Sequence, residues 1–473
     1  MKLSTLKPEK VFGYFEQICS IPHGSYNTDK IADYVVNFAK EHNLEYSRDE
    51  HNNIIIKKDA TEDYNGSNTV IIQGHLDMVC AKEEGTDIDF DNEGLDIDCD
   101  GEYIFAKGTT LGGDDGIAVA MALAILDSDT ITHPNLECVF TTDEEVGMLG
   151  ANAMDMSNLK GKYMLNIDSE DEGEFTVSCA GGETLIAEFS QKDSGKMYSD
   201  SINISISNLT GGHSGVEINK GRANAIILMG TILGEIKKNT NIEIIDINGG
   251  QKDNAIAVEC SADISTNEPD AVIDIIEKCK NEIISKYSET EKSIQITASK
   301  GKAKKSYESG IIDFLANVGN GVRTMSSEIE GLVQTSSNLG IIRTESGKMV
   351  ATFSLRSSLE SEKKDLHNEI IELAALCGGS TSSYGKYPAW EYRHNSKLQS
   401  LCKEIYKKQY NADAKISAIH AGLECGIFCS KIKDLDCISF GPNILDIHTV
   451  NEKLEIASVQ RVYGFLTELL SKL

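Results

Sequence analysis

Apolar residues recur along this chain at two spacings, and the spacing changes with position. Between Pro8 and Ser20, the residues Val11, Phe12, Phe15, Ile18 and Cys19 fall on one helical face, with a proline near the start. The stretch from Asn27 to His42 repeats the pattern through Ile31, Val35, Phe38 and Ala39. Short continuous apolar runs follow at Asn53–Lys57, Thr69–Gln73, Leu136–Thr141 and Tyr163–Ile167, and they read as strands covered on both faces. The Ala- and Met-rich run Gly116–Leu126 predicts a buried helix between them. Helices alternating with such strands indicate an α/β domain.

Beyond about Gly182 the texture shifts to alternation. Ser201–Ser207, Ile256–Ile264 and Ser293–Ala298 read as half-buried strands, with amphipathic helices at Ala223–Lys237 and Asp270–Lys286. A second round follows: strands near Leu332–Arg343 and Met349–Leu355, then a helix at Glu360–Leu376. Two such rounds suggest an antiparallel α+β region built as two similar halves. From about Pro388 the chain returns to helix and apolar strand (Leu435–Phe440), ending in a helix at Val459–Leu473. The expected organisation is a discontinuous α/β domain, 1–182 and 388–473, interrupted by an inserted α+β domain, 183–387.

Composition narrows the function classes. With 40% hydrophobic and 25% charged residues, the chain has the balance of a globular protein rather than a disordered one. No run approaches the roughly 18 apolar residues of a membrane span, and the N-terminal residues lack the apolar core of a secretory signal. The 12 cysteines are scattered singly without a CxxC pair, as buried thiols are in a reducing compartment. A cytoplasmic protein is therefore expected. The net charge of −29 repels phosphate backbones and anionic lipid, which argues against nucleic-acid or membrane partners.

Candidate chemistry sits where apolar runs end. His75 and Asp77 in Gly74-His75-Leu76-Asp77 share one side of an extended chain, so the carboxylate can fix the imidazole tautomer. A glycine turn at 110–116 presents Asp114 and Asp115 just before a helix. Asp143-Glu144-Glu145 follows one strand, Asp168-Ser169-Glu170 another, and Asp446-Ile447-His448 lies near the C-terminal end. Alone, each is an ordinary turn residue. Gathered at the carboxyl edge of an α/β sheet, two carboxylates about 4 Å apart repel by roughly 4 kcal/mol at an effective dielectric near 20. Protons or cations must neutralise them, and mixed His and carboxylate donors suit Zn²⁺ or a related ion. Other motifs fail on spacing: Asp96-x-Asp98-x-Asp100-Gly101 starts like a calcium loop but has Lys107 at its twelfth position.

The series GHLDMV, GTTLGGDDGIA, TTDEEVG, NIDSE, GGHSG, GRANA, HAGLECG and IHTVNE, in this order along the chain, resembles the aminoacyl-histidine dipeptidases (peptidase D). These belong to the aminoacylase/carboxypeptidase-type superfamily of co-catalytic zinc exopeptidases. The resemblance implies a zinc-exopeptidase-like catalytic domain with a mixed, largely parallel sheet, and two divalent metal ions, Zn²⁺ first, with Co²⁺ or Mn²⁺ as alternatives. It implies that His75, Asp114 and Asp168 hold one ion and Asp114, Glu145 and His448 the other, with Asp77 orienting His75. Glu144 would be the general base of dipeptide hydrolysis, Xaa-His substrates included, acting on a metal-bound water. The residue after the bridging aspartate is often Asn in the family and is Asp115 here, so either neighbour is open as the bridge, with Asp114 favoured; the bond between them is expected to be cis. His213, Asn254 and Arg356 match lid positions that meet the substrate, and Gly422 matches a pocket-lining position on the catalytic domain. Small peptides are the implied partners, with monomer or homodimer left open. A tripeptide aminopeptidase, an N-acyl-amino-acid deacylase and a catalytically inactive peptide-binding homologue are the alternative readings.

Overall fold

The computed structural model describes Leu3 and residues 5–473; Met1, Lys2 and Ser4, on which the reading of the N-terminus partly rests, lie outside them. The chain forms two compact units. The first comprises Met1–Cys179, Tyr392–Ala418 and Leu423–Leu473, and the second Ala180–Glu391 with Ile419–Gly422.

The first unit is built on an eight-stranded sheet in the order Glu45–Arg48, Ile54–Lys58, Asn135–Thr141, Thr69–His75, Tyr163–Asn166, Asp436–Ser439, Glu174–Cys179, Lys415–Ile419. Its four central strands, from Asn135–Thr141 to Asp436–Ser439, are parallel. Antiparallel neighbours flank them. The parallel strands are the continuous apolar runs of the sequence: Ile71, Ile72, Val139, Phe140, Met164 and Leu165 are all buried, as a sheet covered on both faces requires. The helix Gly113–Leu126 is buried on every side, packed against strand Thr69–His75 and helix Glu9–Cys19. That is why its sequence is apolar all round rather than in a stripe. Because the central strands run in one direction, His75, Thr141, Asn166 and Ser439 all end at the same sheet edge, where open α/β folds place their sites.

The second unit carries a nine-stranded antiparallel sheet. Its main path runs Gln295–Lys302, Asp200–Ser207, Cys260–Thr266, Ile242–Gly249, Val333–Glu345, Lys348–Ser357, Gly181–Ser190, Ser380–Tyr387, with Gly321–Met325 paired to Val333–Glu345. Alternation is plain in Asp200–Ser207, where Ile202, Ile204 and Ile206 enter the core. There they meet Ile226, Met229 and Leu233 of helix Ala225–Asn239, and Val272 and Ile276 of helix Pro269–Lys286. The sheet has an internal symmetry of topology. Residues 200–302 run strand, helix, strand, strand, helix, strand, and from the outer edge inward the strands lie fourth, first, third, second. Gly181–Ser190 with residues 311–387 repeats both the run and the order, apart from the added Gly321–Met325. The second strands of the two halves meet at Gly249 and Ile342.

Candidate active site

In the first unit, the strand ends and the start of helix Gly113–Leu126 bring five of the sequence-predicted residues together. His75 is fully buried; its Nε2 lies 3.1 Å from Asp114 Oδ1 and 3.7 Å from Asp168 Oδ1. The other oxygen of Asp114 lies 3.1 Å from His448 Nε2, which is itself 3.0 Å from Glu145 Oε1. A single carboxylate thus offers one oxygen to each of two imidazoles. His75, Asp114 and Glu145 each place a ligand atom within 4.8 Å of the others, and so do His75, Asp115 and Asp168.

Local sequence explains the placement. Gly112 has φ +67°, and a Cβ there would meet Met78 Sδ at 2.8 Å, so the turn before Asp114 needs glycine. A Cβ on Gly74 would collide with Asp115 Oδ2 at 2.5 Å and with Ala118 Cβ at 2.9 Å; without it the helix start packs directly on the strand. The Asp114–Asp115 peptide bond is cis. The two neighbours do different jobs. Asp115 turns its Oδ2 to accept the His75 main-chain N–H at 3.2 Å, while Asp114 faces the two rings. His448 sits at φ +61°, in a segment where Asp446 is also left-handed at φ +51°; such backbone in residues other than glycine is sustained only where the surroundings fix it.

Asp77 meets His75 by a route the sequence did not indicate. Its main-chain carbonyl, not its carboxylate, accepts from His75 Nδ1 at 2.8 Å, and the nearer carboxylate oxygen stands 3.6 Å away. The carboxylate instead accepts the Glu144 N–H at 3.0 Å, the Glu145 N–H at 3.4 Å and the Ser25 hydroxyl at 2.7 Å. It therefore fixes the turn that carries Glu144 and Glu145 while leaving the His75 Nε2 free to face inward.

The electrostatics are those of concentrated negative charge. Burial, reinforced by Asp168 and Asp114, pushes the Asp115 carboxyl well above the ordinary range. Burial also raises Glu144 well above its usual value, with Asp168, Glu424 and Glu145 adding to the rise. Asp168 is raised to about 6 and Glu170 to about 8, again chiefly by burial. Burial disfavours a charged His75, but the hydrogen bond with Asp114 and the nearby Asp168 and Asp77 carboxylates outweigh it and raise the ring well above 6.5. Hydrogen bonds to Asp114 and Glu145 raise His448 to about 10. Such a cluster favours bound protons as compensation for its charge. Divalent cations would replace them, and two imidazoles with Asp114, Glu145 and Asp168 form a donor set that fits such ions.

The remaining predicted residues lie in the second unit. Arg356 is buried; its guanidinium donates to the Tyr387 hydroxyl at 3.2 Å and the His420 carbonyl at 3.4 Å. Burial first, then the neighbouring Arg356 charge, hold the His213 ring below its usual pKa. The main chain of Asn254 ties down this loop: its carbonyl accepts the Ser214 N–H at 2.8 Å. Arg356 Nε and Ser214 Oγ are buried and have no hydrogen-bond partner among the described residues. Gly422 is a correction. It groups with this unit rather than with the catalytic body, because Ile419–Gly422 is bound there. The Ile419 carbonyl accepts the Ala180 N–H at 3.1 Å, and His420 Nε2 pairs with Ser336 Oγ at 2.7 Å.

Residues 71–472 match the model of the peptidase family M20/M25/M40. The chain belongs to this family. It is 34% identical to the cytosol non-specific dipeptidase of Escherichia coli (strain K12) over 481 aligned residues, covering all of this chain and 99% of that one. The crystal structure of aminoacylhistidine dipeptidase from Vibrio alginolyticus superposes with a TM-score of 0.91 at 33% identity, covering 100% of this chain and 98% of that one. The aminopeptidase PepT of Bacillus cereus shares the fold, with a TM-score of 0.59 at 15% identity.

Within this M20/M25/M40 chain, two buried glutamates escaped the sequence reading although both lie in the quoted motifs. Glu424, in HAGLECG, accepts from Thr141 Oγ1 at 2.6 Å and Gln73 Nε2 at 2.5 Å, and Gln73 accepts from Asn166 Nδ2 at 2.6 Å. This buried chain ties together the three strands that deliver His75, Glu144 and Asp168. Glu452, in IHTVNE, accepts three main-chain N–H groups of the glycine turn. The available signal was a carboxylate within an apolar stretch (Leu423-Glu424-Cys425-Gly426-Ile427-Phe428), which must be paired when buried.

Proposed function

We propose that this chain is a dinuclear metallo-dipeptidase in which His75, Asp114 and Asp168 hold one divalent ion, and Asp114, Glu145 and His448 hold the second. The observation that carries the reading is Asp114, whose two oxygens face the two imidazoles at 3.1 Å each. Zn²⁺ is the ion inferred, with Co²⁺ or Mn²⁺ able to use the same donors. Such ions supply Lewis acidity at the scissile carbonyl and lower the pKa of water. The protein supplies the rest. Glu144 takes the proton of the attacking water and returns it to the leaving amine. Burial raises its pKa, which strengthens it as a proton acceptor. Asp77 holds the Glu144 main chain and the His75 ring in place.

The substrates are dipeptides, Xaa-His among them, as the name of the Vibrio relative suggests. Arg356 would receive the terminal carboxylate, the anion that best matches its unpaired, buried Nε, with His213 and Asn254 beside it and Gly422 lining the approach. The name of the Escherichia coli relative supports a cytoplasmic setting; among the described residues no helix is long and apolar enough to cross a membrane.

The deciding assay is protein dialysed against chelator, reloaded with Zn²⁺, and offered dipeptides, tripeptides and N-acetyl amino acids. Dipeptides should be cleaved far faster, because a third residue carries the terminal carboxylate about 3.3–3.6 Å further from the scissile bond. Equal rates on tripeptides would favour an aminopeptidase, preference for acylated substrates a deacylase, and no turnover a peptide-binding homologue. In Arg356→Ala, kcat/KM for dipeptides should drop tens-fold or more, since losing a charged hydrogen-bond partner costs about 1.5–3 kcal/mol. The gap between dipeptides and their C-terminal amides should narrow in step; an unchanged gap would remove Arg356 from this role.

His448→Ala should bind one ion instead of two, because His448 is the one donor of the set contributed by the C-terminal segment. Elemental analysis showing two tightly held ions in this variant would refute the second ligand set.

A further inference from the structure

His448 is the weakly anchored member of the site. Its side chain is 44% exposed, and it rides on a loop whose neighbours Asp446 and Thr449 face solvent. Four residues later, Glu452 is 3% exposed. Its Oε2 accepts the Leu111 N–H at 2.7 Å and the Gly112 N–H at 3.1 Å, and its Oε1 accepts the Gly113 N–H at 2.8 Å. These three donors form the turn immediately before Asp114, and they point outward from the N-terminal end of helix Gly113–Leu126, where a carboxylate is also favoured by the helix dipole. Both oxygens are used, and a Cβ on Gly113 would already press on Oε1 at 3.2 Å. No side chain of the metal-donor set or of the base touches this carboxylate through a hydrogen bond. It clasps the segment bearing His448 to the segment bearing Asp114.

We propose that Glu452 is a positioning residue that sets the distance between Asp114 and His448, and so tunes the affinity for the ion these two share. This rests on the ligand sets proposed above. Gln cannot replace it. An amide offers one accepting oxygen, and its NH₂ group would confront an N–H of the turn. The effect falls mainly on one ion, because two of the three donors of the other, His75 and Asp168, are held from the other strands by Asp77, Asp115 and the Gln73–Asn166 pair, and Asp114 alone is shared.

The test is calorimetric titration of chelator-treated protein with Zn²⁺, for the parent, Glu452→Gln and Glu452→Asp. The parent should bind two ions. Glu452→Gln should weaken the second by about 10–100-fold, the usual scale for a partner that orients a ligand, while the first changes less than about threefold. Adding Glu452→Gln to His448→Ala should leave the remaining ion almost unaffected, because the coupling acts through the shared pair. Equal weakening of both ions, or no weakening of either, would overturn the proposal. A parent that never binds two ions would instead overturn the ligand assignment on which it rests. Hydrogen exchange on the unmutated apo-protein decides the matter should the variants not fold: the Leu111, Gly112 and Gly113 amides should be protected, and rapid exchange at all three would remove the clasp.

Discussion

Glu144→Gln should lower kcat by about 10²–10⁴-fold, the range lost with a positioned general base, while the protein keeps two ions and binds dipeptides about as before. The expectation follows from where Glu144 stands. Its main-chain N–H is fixed by Asp77 at 3.0 Å, next to Glu145, which faces His448, and burial raises its pKa, which strengthens it as a proton acceptor. The amide preserves the shape of the side chain but cannot take the proton. Steady-state kinetics with metal analysis on the same preparation separates the outcomes: full activity would end the assignment, and lost metal would make Glu144 a ligand instead.

Asp114→Ala should be more damaging, because it withdraws one donor from each proposed ion at once. Losing Lewis-acid stabilisation worth several kcal/mol corresponds to about 10³-fold or more in rate, at 1.36 kcal/mol per decade. Both ions should dissociate on dialysis. The neighbour provides the control: Asp115→Asn should retain both, since the amide oxygen can still accept the His75 main-chain N–H. Metal analysis of the two variants side by side decides which aspartate bridges. The reverse pattern, with metals lost in Asp115→Asn and kept in Asp114→Ala, would move the bridge by one residue.

Much of this was legible in the sequence because the signals were strong and local. The parallel strands announced themselves as continuous apolar runs, and helix Glu360–Leu376 occurs with the boundaries expected. The strand expected at Ile256–Ile264 lies instead at Cys260–Thr266. The Ile256 N–H bonds to the Gly212 carbonyl and the Ala257 carbonyl to the Ala225 N–H, so these apolar residues are buried in a loop. Ser380–Tyr387 was missed because an edge strand needs few apolar residues: STSSYGKY has none of the alternation that marks a half-buried one. In the site, His75, Asp114, Glu145, Asp168 and His448 were visible as chemistry at the ends of apolar runs. The supporting contacts were not. Asp77 reaches His75 through a main-chain carbonyl that no side-chain pattern encodes, and the Glu424–Gln73–Asn166 chain and the clasp at Glu452 join residues tens to hundreds of positions apart. Period and motif carry no information about such pairings.

The most direct test of the two-metal account is a titration of chelator-treated protein with Zn²⁺ while hydrolysis of one Xaa-His dipeptide is followed. The account predicts negligible activity without metal and full activity once two equivalents per chain are bound, with Zn²⁺ recovered at that ratio after dialysis. Undiminished hydrolysis by metal-free protein, or full activity at one equivalent with no second ion bound, would contradict it.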